Sequence, residues 1–128
     1  MNCSDFTILV AEDDLNLMKV YEKSLSAEGY RLILVESEKH ALAELDKAPV
    51  DLLITDINLK TATAFDMLPF IQEAYPKLPV IVVTGSYDWL TGDSLKNHFG
   101  SVKRFFKKPI SMDVLKRNIR EILNLEDV

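Results

Sequence analysis

Residues 50–56 read VDLLITD, a short apolar run closed by a carboxylate. Its core is continuous rather than alternating, which marks a strand buried on both faces. Three other runs share that form: ILVA at residues 8–11 meets Glu12-Asp13-Asp14, VIVV at 80–83 meets Thr84, and RFFK at 104–107 meets Lys108-Pro109. If these runs are parallel strands, their carboxyl ends lie side by side. Carboxylates, a hydroxyl and an ammonium then converge in the crevice where open α/β sheets bind ligands.

Working outward, strands are predicted at Phe6 to Ala11, Arg31 to Val35, Val50 to Thr55, Val80 to Thr84 and Arg104 to Lys107. Helix-period segments separate them: Leu15 to Glu28, Ser37 to Asp46, Asp66 to Tyr75, roughly Trp89 to His98, and Met112 to Asn124. Gly29 stops the first helix and Ser111 caps the last. Pro69 is placed in the first turn of the third helix, behind Asp66 as N-cap, where its missing N–H is harmless. The fourth helix, with Gly92 and the mixed stretch SYDWLTGD, has poor propensity and should be the least stable. Five βα units imply an α/β, doubly wound, five-stranded parallel sheet with helices on both faces.

The chain has 128 residues, 48% of them hydrophobic and 27% charged, as expected for one globular domain spanning 1–128. No apolar stretch approaches the roughly 20 residues that cross a bilayer. The N-terminus MNCSDF lacks the basic and apolar regions of a signal peptide, so a cytoplasmic location is expected. The single cysteine, Cys3, excludes an internal disulfide and reads as a bystander thiol. A net charge of −5 disfavours nonspecific binding to nucleic acid or an anionic membrane. The basic cluster Lys103-Arg104-Lys107-Lys108 reads as partly site and partly solvated edge.

Glu12, Asp13 and Asp56 within a few ångströms of one another would repel unless a cation neutralised them. Hard carboxylate oxygens with room for water suit Mg²⁺. Lys108 adds a positive charge, and Thr84 a hydroxyl that can donate to a phosphoryl oxygen. A carboxylate facing both a metal and a lysine can attack phosphorus and carry an acyl phosphate. Asp56, alone at the end of the most apolar strand, is the best candidate for that role. Glu12 and Asp13 suit a metal-holding pair, whereas Asp14 is better placed to cap the first helix.

The ordered set ILVAEDD, DLLITDINL, IVVTGS and FFKKP resembles the receiver domain of two-component response regulators across essentially the whole chain. The resemblance implies a flavodoxin-like strand order 2-1-3-4-5. It implies that Asp56 is the phosphoacceptor and that Asp13, Asp56 and the backbone carbonyl of Asn58 bind Mg²⁺, with Glu12 acting through a coordinated water. Thr84 and Phe105 match the switch pair, Lys108 the phosphate-binding lysine, and Asn58 and Ser86 the positions that tune hydrolysis. The Lys108–Pro109 bond is expected to be cis. The chain departs from the family pattern at Lys60, where proline is usual, at Ala64, where glycine is common, and in a slightly longer stretch between Thr84 and Phe105.

The partner implied is a histidine kinase or histidine phosphotransfer protein, with an unknown output partner on the face of the fourth helix, fifth strand and fifth helix. A monomer or weak dimer is expected, without direct nucleic-acid or membrane contact. No effector domain follows the fifth predicted helix, which fits a stand-alone relay or a receiver excised from a longer chain. Taking Leu17, Val20, Tyr21 and Leu25 as the buried stripe of the first helix puts Leu15 nearly opposite, with Met18 flanking, where the pair could dock a donor helix. Phe106 is expected with the core and Phe105 on the other side of its strand, while His40 and His98 read as surface residues. A flavin-type binder is opposed by the acidic EDD loop, which would repel phosphate. An aspartyl phosphotransferase or phosphatase is opposed by Asn58, where such enzymes commonly carry a second aspartate. The remaining alternative is a degenerate receiver acting as a phosphorylation-independent interaction module.

Overall fold

The computed structural model describes residues 3–56, 64–85 and 100–125, with side chains in the second segment from residue 68 onward. After a 3₁₀ turn at Cys3–Asp5 come β1 (Thr7–Ala11), α1 (Leu15–Ala27), β2 (Arg31–Val35), α2 (Glu38–Lys47), β3 (Leu52–Thr55), α3 (Ala64–Ala74), β4 (Val80–Thr84), β5 (Val102–Lys107) and α4 (Met112–Ile122). All neighbouring strands pair in parallel, in the order β2-β1-β3-β4-β5. The fourth predicted helix, and with it the readings of Asn58, Lys60, Ser86, Trp89 and His98, lies outside the described residues.

Alternation along the central strands sorts the core into two layers. Ile8 and Val10 of β1, Leu52 and Ile54 of β3, and Ile81 and Val83 of β4 meet Tyr21 and Leu25 of α1 and Leu115 and Ile119 of α4. The intervening Leu9, Leu53, Val80 and Val82 meet Ala41 and Leu45 of α2 and Leu68 and Ile71 of α3. Each fully buried Leu or Ile contributes about 1.5–3 kcal/mol, which is why the central runs are apolar at every position. Phe105 packs toward the α2–α3 layer and Phe106 toward the α1–α4 layer, both half-buried.

The helix ends follow from local chemistry. Asp14 Oδ1 accepts from the backbone N–H groups of Asn16 and Leu17 at 3.0 and 3.2 Å, capping α1 as expected. Gly29 stops that helix at φ 103°, a conformation that L side chains rarely adopt. Ser111 caps α4, its Oγ accepting from the Val114 N–H at 3.5 Å. Ser37, expected as the first residue of α2, is instead its cap, with Oγ accepting from the His40 N–H at 3.2 Å. His40 is exposed, as expected.

Two helix expectations are corrected. α3 starts at Ala64, so Asp66 lies inside it and Pro69 falls in the helix interior rather than the first turn. An interior proline removes an intrahelical bond, but the burial of Leu68 and Ile71 against the sheet favours the longer helix. Val20 is 43% exposed and does not belong to the buried stripe of α1. Its side of the helix borders an open groove instead of a packed layer.

Candidate functional site

Strand parity assembles the site. Glu12, Asp56 and Lys108 each lie two residues beyond a side chain on the α1–α4 face, namely Val10, Ile54 and Phe106. Backbone bonds carry the register past the strand ends: the Glu12 N–H donates to Val35 O at 3.0 Å, the Asp56 N–H to Ala11 O at 3.3 Å, and the Lys108 N–H to Thr84 O at 2.8 Å. The three side chains therefore meet. Lys108 Nζ lies 2.7 Å from Asp56 Oδ2 and 2.9 Å from Glu12 Oε1, bridging β1, β3 and the end of β5. The Lys108–Pro109 bond that follows is cis, as expected.

Glu12 is 2% exposed and also accepts the Asp14 N–H, through Oε2 at 3.0 Å. Burial pushes its pKa above the usual carboxylate value, although the Lys108 ammonium and the Asp14 N–H pull the other way. Burial would lower the pKa of Lys108, but hydrogen bonds to Asp56 and Glu12 outweigh it and the net shift is upward. The ammonium form is thus secured across the neutral range.

Asp13 completes an acidic cluster. One ligand oxygen from each of Glu12, Asp13 and Asp56 lies within 4.8 Å of the others, and Asp13 is half-buried and open to solvent. An all-carboxylate donor set with an accessible side fits a hard divalent cation that retains water. That donor chemistry agrees with Mg²⁺ and gives soft metals no thiolate or imidazole to hold them.

Thr84 ends β4, fully buried, with the parity of Val82 and hence toward the α2–α3 face. Phe105 pairs with Val82 across the ladder and Lys107 pairs with Thr84. Thr84 and Phe105 are therefore diagonal neighbours on one face, within reach of an aromatic side chain. In the basic cluster, Lys108 enters the site while Lys103 and Lys107 are exposed; Arg104 bonds Asn118 at 2.8 Å and Glu121 at 3.3 Å.

A groove that the sequence does not reveal lies beside the site. It measures 580 Å³ and is lined by Asp14, Asn16, Leu17 and Val20 on one side and by Lys108, Pro109, Ile110 and Met112 on the other. Leu15, 57% exposed, stands on the same helix, and Met18 is half-buried. The signal was present in the apolar PI…M after Lys108, but only folding brings it against α1. Among the described residues, no helix is long and apolar enough to cross a membrane.

Comparison with known proteins agrees with this architecture. The chain is 30% identical over 118 residues to the transcriptional regulatory protein GlrR of Escherichia coli, covering 91% of this chain and 26% of that one. It is 35% identical over 85 residues to the DNA-binding transcriptional regulator NtrC of a Bradyrhizobium species, covering 66% and 18% respectively. The chain thus spans about a quarter or less of the length of these curated relatives. Its fold matches the crystal structure of a CheY-like response regulator receiver domain protein from Methanospirillum hungatei, with TM-score 0.85, 23% identity, and coverage of 93% of this chain and 94% of that one. With residues 8–120 also matching the response regulator receiver domain, the chain belongs to that family.

Proposed function

We propose that residues 1–128 act as one phosphoacceptor switch in which Asp56 takes the phosphoryl group. The observation that carries this reading is Lys108 Nζ held at 2.7 Å from Asp56 Oδ2 and 2.9 Å from Glu12 Oε1, beside the Asp13 carboxylate. An Asp56 carboxylate oxygen attacks phosphorus of a phosphohistidine, the P–N bond breaks, and the histidine of the donor leaves as the neutral ring after taking up a proton. Lys108 stabilises the charge on the transferring oxygens. Asp13, Asp56 and the Asn58 carbonyl would hold Mg²⁺, with Glu12 acting through water; the ion would neutralise charge on both reactants. The chain assists its own phosphorylation and dephosphorylation and acts on no separate substrate. Asn58 and Ser86 would set how fast water removes the group.

The new charge biases a two-state equilibrium. Thr84 turns toward the phosphoryl oxygens and Phe105, its diagonal neighbour, fills the space. That shift alters the surface of β5, α4 and the segment before β5, where an output partner binds. The donor is a cytoplasmic histidine kinase or histidine phosphotransfer protein. Its helix lies in the groove between α1 and Pro109–Met112, because Lys108, which bonds Asp56, lines that groove, so a donor histidine there comes beside Asp56. Leu17 and Val20 line this contact, whereas Leu15 and Met18 lie outside its lining and, at about 100° per residue, on another side of α1.

Beryllofluoride with Mg²⁺, which mimics an acyl phosphate, tests the switch through Trp89 fluorescence. A saturable change that disappears in Asp56→Asn is expected. No response at saturating concentrations would instead support the phosphorylation-independent interaction module.

A further inference from the structure

Tyr21 of α1 is 1% exposed, and its hydroxyl is buried without a hydrogen-bond partner. A buried hydroxyl left unpaired costs free energy that a leucine or phenylalanine in the same layer would avoid. Its location gives the group a use. Tyr21 packs in the α1–α4 layer with Ile54, Val83 and Phe106, the face whose strands end at Glu12, Asp56 and Lys108. Helical side chains lean toward the helix N-terminus, which in α1 is the end capped by Asp14 beside Glu12. The phenol pKa is raised first by burial and then by the charges of Glu12 and Asp56, so both carboxylates lie within its electrostatic reach.

Without a phosphoryl group, Lys108 serves both carboxylates at once. A phosphoryl group on Asp56 would carry about −1.5 to −2 charges and draw the ammonium toward itself. Glu12, 2% exposed, would then lose its ammonium partner and keep the Asp14 N–H, together with a metal-bound water where Mg²⁺ is held. A buried carboxylate stripped of its partner is strongly disfavoured. We propose that the Tyr21 hydroxyl is a reserve donor, taking the Glu12 carboxylate directly or through one water when Lys108 turns to the phosphoryl group. Tyr21 is thereby a positioning residue that favours the phosphorylated state while remaining unpaired in the resting one. The inference rests on Asp56 being the phosphoacceptor.

The test compares the whole chain with Tyr21→Phe by thermal unfolding, with and without Mg²⁺ and beryllofluoride. Without ligand, Tyr21→Phe unfolds at the same midpoint or higher, because an unpaired group has been removed. With ligand, its midpoint rises less than that of the parent chain, corresponding to about three- to tenfold weaker beryllofluoride binding. In the parent chain the ¹³Cζ resonance of Tyr21 shifts on ligand addition as the hydroxyl gains an acceptor. Equal ligand affinity in the two proteins, or an unmoved ¹³Cζ resonance, overturns the inference while leaving Asp56 as phosphoacceptor. A lowered midpoint without ligand also overturns it, since the hydroxyl would then support the resting fold. No ligand response in the parent chain overturns the phosphoacceptor reading and this inference together.

Discussion

Two aspartates flank the same strand and do different work. Asp51 precedes β3, and its carboxylate accepts the Thr7 N–H at 2.8 Å, fastening the start of β1 to the start of β3. Asp56 follows β3 and meets Lys108, Glu12 and Asp13. One residue type holds a backbone N–H at the amino end of the strand and joins a charged cluster at its carboxyl end. The difference lies in what the neighbouring strands present: a backbone N–H at one end, an ammonium and two more carboxylates at the other. Mutation should separate the two ends cleanly.

Asp56→Asn should abolish phosphoryl acceptance, the largest effect expected, while circular dichroism shows an intact fold. Asp51→Asn should accept phosphoryl groups at the parent rate but lose stability, by about 1 kcal/mol in urea unfolding, because a charge-assisted bond becomes a neutral one. Lys108→Ala should slow acceptance from acetyl phosphate about 10²–10³-fold, the scale for losing one donor to a developing charge. Retained rate in Lys108→Ala would show that the carboxyl end does not need its cation, and the contrast between the two aspartates would narrow.

Smaller effects test how far the carboxyl end extends. Val20→Asp should weaken transfer from a cognate histidine donor about tenfold, and Leu15→Ala less, with acetyl phosphate unaffected in both. Parent-like transfer in both would remove the groove from the account. The last effect concerns pH in the metal-free chain. Glu12 has a folded pKa above its ordinary 4.5, so the folded state holds that proton more tightly than the unfolded one. Stability is then lost as pH rises from 4.5 through the folded value. The Lys108 contribution stays intact across that window, because a raised ammonium pKa costs stability only as pH climbs above the ordinary 10.5 through the folded value. Glu12→Gln should flatten the slope above pH 4.5, measured by urea unfolding at stepped pH.

The strands were legible because burial on both faces demands unbroken apolar runs, and the site because its residues sit where those runs stop. Glu12, Asp13, Asp56 and Lys108 could be gathered from order alone once the strands were taken as parallel. Legibility failed where tertiary packing opposed a local rule. Pro69 reads as a helix start, yet Leu68 and Ile71 anchor a helix that begins five residues before it. β5 begins at Val102 rather than Arg104, since the charges of Lys103 and Arg104 mask a strand whose first residue is buried opposite Val80. Val20 has the right character for the buried stripe, but periodicity cannot show that the adjoining surface is a groove. The unpaired hydroxyl of Tyr21 was equally hidden, because sequence shows a core aromatic and not what its polar end meets.

The central claim is that Asp56 accepts a phosphoryl group in a Mg²⁺-dependent reaction. Intact-mass measurement after incubation with acetyl phosphate, followed by reductive trapping and peptide mapping, tests it most directly. One phosphoryl group per chain is expected, located at Asp56, present with Mg²⁺ and absent when the metal is chelated. No gain under saturating conditions, or an undiminished gain in Asp56→Asn, would contradict it.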